Sequence, residues 1–283
     1  MRHRREISVH RDIRLNIEDK LARLRQHLSH LEKVAVAFSG GVDSTLLLKV
    51  ACDTLGQDHV VALTACTQLV PQQEQQEART LAAEMGVCHE QLYEDVLQAE
   101  DVAANPRDRC YHCKHEIFSL FLKRCRELGF EHLIDGTNLD DLGEDRPGLK
   151  ALKELKVGSP LAECRLGKED VRALSRSFGL STAERPSFAC LASRIPFGVP
   201  LTTENLAQVE HCEECLRELG FGNFRVRHHD SVARIELERT DMQRLMDPEI
   251  YSIIVERFKS QGFHYVTLDL EGLRSGSMSE VDP

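Results

Sequence analysis

The 283-residue sequence predicts an α/β fold, a parallel sheet with helices on both faces, joined to a smaller C-terminal α+β unit. Three observations carry that expectation. Short apolar runs at residues 34–38, 59–65 and 133–134 alternate with helical patterns, as βαβ units do. A Gly-Gly turn, Ser39-Gly40-Gly41-Val42-Asp43-Ser44, joins the first run to a helix expected from Ser44 to about Thr54. It therefore lies at the carboxyl end of a strand, where open parallel sheets bind ligands. The composition then changes over residues 185–198, where Pro186, Pro196 and the nearby Pro200 argue for an ordered, irregular connection. A boundary near residue 200 divides the chain into a first domain, 1–200, and a second, 201–283.

Taken in order, residues 12–32 place Ile17, Leu21, Leu24, Leu28 and Leu31 in one apolar stripe on a helix. After the glycine turn and its helix come the run at 59–65, a polar helix with Ala78, Leu81, Ala82 and Met85 on one face, and an extended piece at 87–93. Cys110-Tyr111-His112-Cys113 opens a helix carrying Ile117, Phe118, Leu120, Phe121 and Leu122. A strand ending in Asp135-Gly136-Thr137-Asn138 leads through Leu139-Asp140-Asp141 to a turn at Arg146-Pro147-Gly148. The helix at 168–178 follows, with Val171, Leu174 and Phe178 apolar and Gly179 placed to end it. Beyond residue 200 the pattern reads helix (203–219), two strands (224–229 and 232–237), helical pieces to about residue 260, and a strand at 264–270.

Hydrophobic residues make up 41% and charged residues 29%, as in ordinary globular proteins. No apolar run nears the ~18 residues that a bilayer span needs, so no membrane partner is expected. The basic start, Met1-Arg2-His3-Arg4-Arg5-Glu6, is not followed by a long apolar segment, and the expected compartment is the cytoplasm. A formal charge of -10 disfavours long-range attraction to nucleic acid. Ten cysteines in such a chain point away from a disulfide framework and toward metal or redox chemistry at some of them.

The glycine turn indicates nucleotide chemistry. Adjacent glycines let the backbone approach a ligand, and open N–H groups at a helix start favour phosphate. The turn has no lysine and fits neither the GxxxxGK[ST] nor the GxGxxG spacing. It resembles instead the SGGxDS pyrophosphate loop of enzymes that split ATP to AMP and pyrophosphate while adenylating a substrate. That resemblance implies that Ser39, Gly40, Gly41 and Ser44 hold the pyrophosphate and that Asp43 helps place Mg2+. Gly136, Thr137 and Asn138 at the later strand end, with Asp141 beyond, offer hydrogen bonds and carboxylates suited to a nucleotide, although a polar turn would use the same residues.

Cys110 and Cys113 bring two thiols to the positive end of a helix dipole, which suits metal or cluster ligation, redox exchange or half a zinc site. Cys212 and Cys215 could complete a four-cysteine zinc site. However, Leu206, Val209, Cys212, Leu216 and Leu219 form one apolar stripe, so burial is the expectation there, as for Cys52, Cys66, Cys88, Cys125 and Cys164. None of the 13 histidines has a ligand pattern, and His228-His229 reads as part of an exposed strand.

Together the motifs resemble the LarE family of ATP-dependent sulfur transferases. The resemblance runs from the Ser39 loop through RCYHCK (109–114), DGTNLDD (135–141) and ACLASRIPFG (189–198) to RVRHHD (225–230) and LDLEGLRSGSM (268–278), nearly the whole chain. It departs at Gly143-Glu144-Asp145, where an aspartate-tyrosine pair is expected. The family implies a PP-loop ATP pyrophosphatase, HUP-like first domain that uses ATP and Mg2+, and a pyridinium dicarboxylate mononucleotide as substrate. One carboxylate would be adenylated, and sulfur would displace AMP to give a thiocarboxylate of the nickel-pincer nucleotide used by lactate racemase.

By the same resemblance Cys190 is the sulfur-handling residue. One branch of the family gives up this cysteine's sulfur and leaves dehydroalanine; another binds a 4Fe-4S cluster on three cysteines, whose open iron carries sulfide. Cys110, Cys113 and Cys190 match the second pattern, so cluster-dependent transfer is expected, with a sacrificial Cys190 or zinc at the paired cysteines as alternatives and the sulfide donor unassigned. Arg225 and Arg227 share one face of a strand, where the family implies a grip on the substrate phosphate; a solvated strand face is the plainer reading. Arg194, Arg274 and Ser275 are expected to contribute. The second domain is expected to assemble a homo-oligomer, a hexamer by analogy. Three competing readings remain. A tRNA-thiolating enzyme is disfavoured by the acidic balance, an amide-forming ligase of the NAD or GMP synthetase kind leaves the three cysteines unexplained, and a non-enzymatic nucleotide or Fe-S carrier leaves the full ATP loop unexplained.

Overall fold

The computed structural model describes residues 17–143, 147–186 and 189–274. In chain order these form α1 (17–29), β1 (Val34–Ala37), α2 (Val42–Leu55), β2 (Val60–Cys66), α3 (Gln72–Glu84), β3 (Cys88–Tyr93), α4 (Glu100–Ala103), α5 (Arg109–Glu127) and β4 (His132–Ile134). There follow α6 (Pro147–Glu154), α7 (Pro160–Glu163), α8 (Lys168–Ser177), α9 (Thr203–Glu218), β5 (Phe224–His229), β6 (Val232–Leu237), α10 (Arg239–Leu245), α11 (Pro248–Ser260) and β7 (Tyr265–Leu268).

Packing divides the described chain into two units, the first of residues 17–66, 72–94, 110–143 and 147–186, the second of 67–71, 95–109 and 189–274. A single boundary at residue 200 therefore needs correcting: residues 189–200 and two excursions from the N-terminal half belong to the second unit. Backbone bonds give the reason. Leu191 N–H donates to Leu69 O (2.9 Å), Gly198 N–H to Asn105 O (2.9 Å) and Leu201 N–H to Ala103 O (2.7 Å). The buried Asn105 amide adds bonds to Pro196 O (2.8 Å) and Val199 O (3.1 Å).

In the first unit the sheet order is β3-β2-β1-β4, all parallel, matching the expected α/β class. Successive side chains of β1 enter opposite layers, as strand geometry requires. Val34 and Val36 join Leu24, Leu28, Leu46, Leu47 and Leu174 in one core, while Ala35 joins Leu133, Phe118, Phe121 and Leu152 in the other. The strand order reverses between β1 and β4, so the turns after these two strands face one crevice, the usual ligand position of such sheets. The turn expected at Pro147-Gly148 is instead the start of α6: proline at the first helical position has the right φ and loses no internal hydrogen bond.

In the second unit β5 and β6 form an antiparallel hairpin, and β7 lies parallel to β6. The hairpin strands have the bounds expected from sequence. Helix α9 starts with a capping box in which Thr202 Oγ1 accepts from Asn205 N–H (3.1 Å) and Asn205 Oδ1 accepts from Thr202 N–H (2.9 Å). Its apolar stripe packs with Val226, Ile235, Phe258 and Phe263, burying Cys212 and Cys215 as expected. His228 is buried as well, against the expectation of an exposed strand, because Phe263 stacks edge-on against it. Among the described residues no helix is long and apolar enough to cross a membrane.

Candidate active site

The first unit builds its site at the β1–α2 junction. Gly40 has φ +73, and a Cβ there would lie 3.2 Å from Ala78 Cα, so α3 packs on a turn that glycine alone fits without strain. Ser44 Oγ donates to Gly41 O (3.1 Å) and accepts from Ser39 N–H (3.3 Å), while Ser39 Oγ accepts from Gly41 N–H (3.3 Å). These bonds close the loop on itself. No side chain caps α2 at Gly41, which leaves the amides of its first turn to an anion, with the helix dipole behind them.

The end of β4 completes the crevice. Gly136 passes so close to α2 that a Cβ would meet Ser44 N at 2.8 Å. Asn138 Nδ2 donates to Asp43 Oδ1 (3.1 Å), and Asn138 Oδ1 accepts from Asp140 N–H (2.9 Å) and Asp141 N–H (3.3 Å). Ser39, Gly40, Gly41, Asp43, Ser44, Gly136 and Asn138 are thus gathered at one place. Thr137 and Asp141 serve the turn itself: the Thr137 hydroxyl donates to Asp135 (2.5 Å), and Asp141 accepts from Asn138 N–H (3.1 Å).

Two cations here were not singled out in the sequence. Lys168, the first residue of α8, forms an ion pair with Asp43, and its backbone N–H donates to Asp140 Oδ2 (2.6 Å). Arg185 donates to Gly40 O (3.1 Å) and pairs with Glu77, while Arg172 fixes the Arg185 backbone by donating to its carbonyl (2.9 Å). The one available signal was the missing lysine of the loop: a polyphosphate site without its own cation needs one from elsewhere.

Cys110 and Cys113 occupy the first turn of α5, one exposed and the other half-buried. Cys190 belongs to the second unit. It is half-buried and precedes a 3-10 turn, Leu191–Arg194. Arg194, expected at the substrate, is only 1% exposed, and its guanidinium is engaged with Glu213, Ser193 and the carbonyls of Ala189 and Cys190. Its role as a substrate contact is therefore corrected, since the turn directs it inward. Arg227 is buried too, donating to Ser193 O (2.9 Å) and pairing with Glu236 at 2.8 Å. A solvated strand face is excluded for it. Arg225 is half-buried and forms no ion pair among the described residues; its Nη1 donates to Phe224 O (2.6 Å). Burial, with Arg194 and Arg227 nearby, lowers its pKa, so the cationic form here would gain from an anion. Arg274 joins Asp269 at 3.2 Å, and Ser275 lies outside the described residues, as do residues 144–146.

The thiols are sorted by burial. Burial raises Cys66, Cys164, Cys212 and Cys215 above the ordinary thiol value and pushes Cys52 and Cys125 up to about 11. Cys88, expected in the core, is exposed at the start of β3. Among the described residues no group of three or more His, Cys, Asp or Glu is arranged to hold a metal ion. Cys110 and Cys113 in the first unit and Cys190 in the second all lie outside the buried core.

Residues 15–108 match a family model described as NAD synthase. The chain is 41% identical over 265 residues to an uncharacterized protein of Synechocystis sp., covering 94% of this chain and 98% of that one. It is 40% identical over 263 residues to the pyridinium-3,5-bisthiocarboxylic acid mononucleotide synthase of Lactiplantibacillus plantarum, covering 93% and 94%. An uncharacterized protein of Methanocaldococcus jannaschii is 31% identical over 259 residues, covering 90% and 98%.

Proposed function

The chain belongs to the family of pyridinium-3,5-bisthiocarboxylic acid mononucleotide synthases, the LarE sulfur transferases, and from that premise we propose that it converts carboxylates of a pyridinium-3,5-dicarboxylate mononucleotide into thiocarboxylates. A substrate carboxylate oxygen attacks the α-phosphorus of ATP and pyrophosphate leaves. A sulfur nucleophile then attacks the acyl carbon and AMP leaves. The observation that carries the reading is kinship across both units, with the whole Ser39–Ser44 turn set against Gly136 and Asn138.

In the first unit, the α2 amides and Ser39 receive the pyrophosphate, Asp43 takes Mg2+, and Lys168 neutralises charge beside it. In the second, Arg225 supplies the cation for the mononucleotide phosphate, and Arg227 holds the strand in place. A 4Fe-4S cluster held by Cys110, Cys113 and Cys190 would supply the sulfide on its iron without a protein ligand. Assembly as a homo-oligomer and residence in the cytoplasm belong to the same proposal.

Anaerobic purification with iron and sulfide analysis, followed by protein mass measurement after turnover, tests the sulfur route. We expect bound iron and sulfide, an unchanged mass, and a Cys190→Ser variant that releases pyrophosphate without forming thiocarboxylate. Iron-free active protein, with Cys190 lighter by hydrogen sulfide, would overturn the cluster in favour of a sacrificial cysteine. Substrate-independent pyrophosphate release would overturn the substrate.

A further inference from the structure

We infer that Arg194 and Glu213 are positioning residues for Cys190, a rivet that fixes the sulfur-bearing turn to the strand carrying Arg225 and Arg227. The inference rests on the reading of Cys190 as the sulfur residue.

Both partners are buried, Arg194 at 1% and Glu213 at 4% exposure. They meet as a two-pronged pair, Nε to Oε1 at 2.8 Å and Nη2 to Oε2 at 2.9 Å. The remaining Arg194 nitrogen, Nη1, donates to Ala189 O (2.5 Å), Cys190 O (3.1 Å) and Ser193 Oγ (3.0 Å). Ser193 adds two more donors to the Cys190 carbonyl, its hydroxyl at 2.8 Å and its N–H at 3.0 Å. The backbone of Cys190 is thus held by three donors from one 3-10 turn.

The other end of the rivet reaches the sheet. Glu213 Oε1 also accepts from Val226 N–H at 3.0 Å, and Val226 is the residue between Arg225 and Arg227. Arg227 closes the circuit by donating to Ser193 O at 2.9 Å. One carboxylate on α9 therefore sets the spacing between the cysteine turn and the arginine strand. A buried ion pair adds little net stability over a packed apolar pair, because desolvation offsets the attraction. Holding a geometry is the use that accounts for this one.

The test is the double variant Arg194→Met/Glu213→Gln. It removes both charges together, keeps an amide oxygen for Val226 N–H, and deletes the bonds to Ala189 and Cys190. With the melting transition retained, we expect alkylation of Cys190 by iodoacetamide, compared in parent and variant both freed of iron by chelation and without substrate, followed by peptide mass mapping, to quicken about tenfold as the turn opens locally. Thiocarboxylate formation should fall about 100-fold, the cost of a misplacement near 1 Å, while ATP-dependent pyrophosphate release is unchanged. A folded variant that alkylates at the parental rate overturns the inference. Should the double variant not fold, Arg194→Lys is read by the same alkylation assay, because an ammonium keeps the charge but cannot bridge Glu213 and both carbonyls. An unmodified enzyme that forms no thiocarboxylate would strike the sulfur-transfer reading alone, since the alkylation result needs no substrate.

Discussion

Asp43 has a lysine for its partner. Its carboxylate lies between Asn138 and Lys168, so charge is balanced locally; in the proposed reaction Lys168 would turn to phosphate once Mg2+ takes the carboxylate. We expect Lys168→Met to lower substrate-dependent pyrophosphate release about tenfold or more, the scale of a lost charge-assisted hydrogen bond. Pyrophosphate release at the parental rate and ATP affinity would remove Lys168 from the site. The sequence showed the loop but not this partner, because 125 residues separate the two and no local pattern specifies which distant cation arrives. Arg194 was misread for the opposite reason: proximity to Cys190 in sequence says nothing about direction, and the 3-10 turn points the side chain into protein.

Among the elements, β1, its turn and α2 were legible because three signals agree there: an apolar run, paired glycines and the leucine-rich run that follows them. The hairpin β5–β6 was legible through its alternation, whereas α6 was lost because Pro147-Gly148 reads as a turn until its place at a helix start is known. The close pass of β4 over α2 cannot be read from a local pattern. At Gly136 a methyl group would meet the backbone of Ser44, and backbone cannot move aside as a flexible side chain can. Gly136→Ala should therefore cost about 1–3 kcal/mol in stability, measured by denaturant melts, and raise the KM for ATP by displacing the first turn of α2. Parental stability and KM would show that the junction is slack.

For the whole molecule, histidine burial sets a pH dependence. Burial lowers the pKa of His89, with Arg79 adding to it, and that of His228 against the opposing pull of Asp230. His229 is lowered by burial first, then by Arg234, His228 and Arg227. Unfolded, these rings take up protons near the ordinary value of 6.5. Below it the unfolded state binds more protons than the folded one, so their contribution is full above about pH 6.5 and is lost as pH falls toward the folded values. The melting temperature should drop between about pH 7 and about pH 5, and His228→Gln should flatten that drop. An identical slope in the variant would remove His228 from the linkage. The division into two units was the least legible feature, because residues 67–71 and 95–109 carry no compositional mark of belonging with residues beyond 188.

That interleaving has a consequence for how the protein is made. On the ribosome the second unit's early strips leave the exit tunnel well before the residues that hold them: Asn105, which ends bonded to Pro196 and Val199, is made some 90 residues too soon. At roughly 5–20 residues per second, such a strip waits about 5–20 seconds for its partner. A ribosome stalled once residue 188 has cleared the tunnel would carry the whole first unit outside, with residues 67–71 and 95–109 still waiting for their partners. Synthesis order, then, gives the ATP-binding unit a head start over the one that holds Cys190.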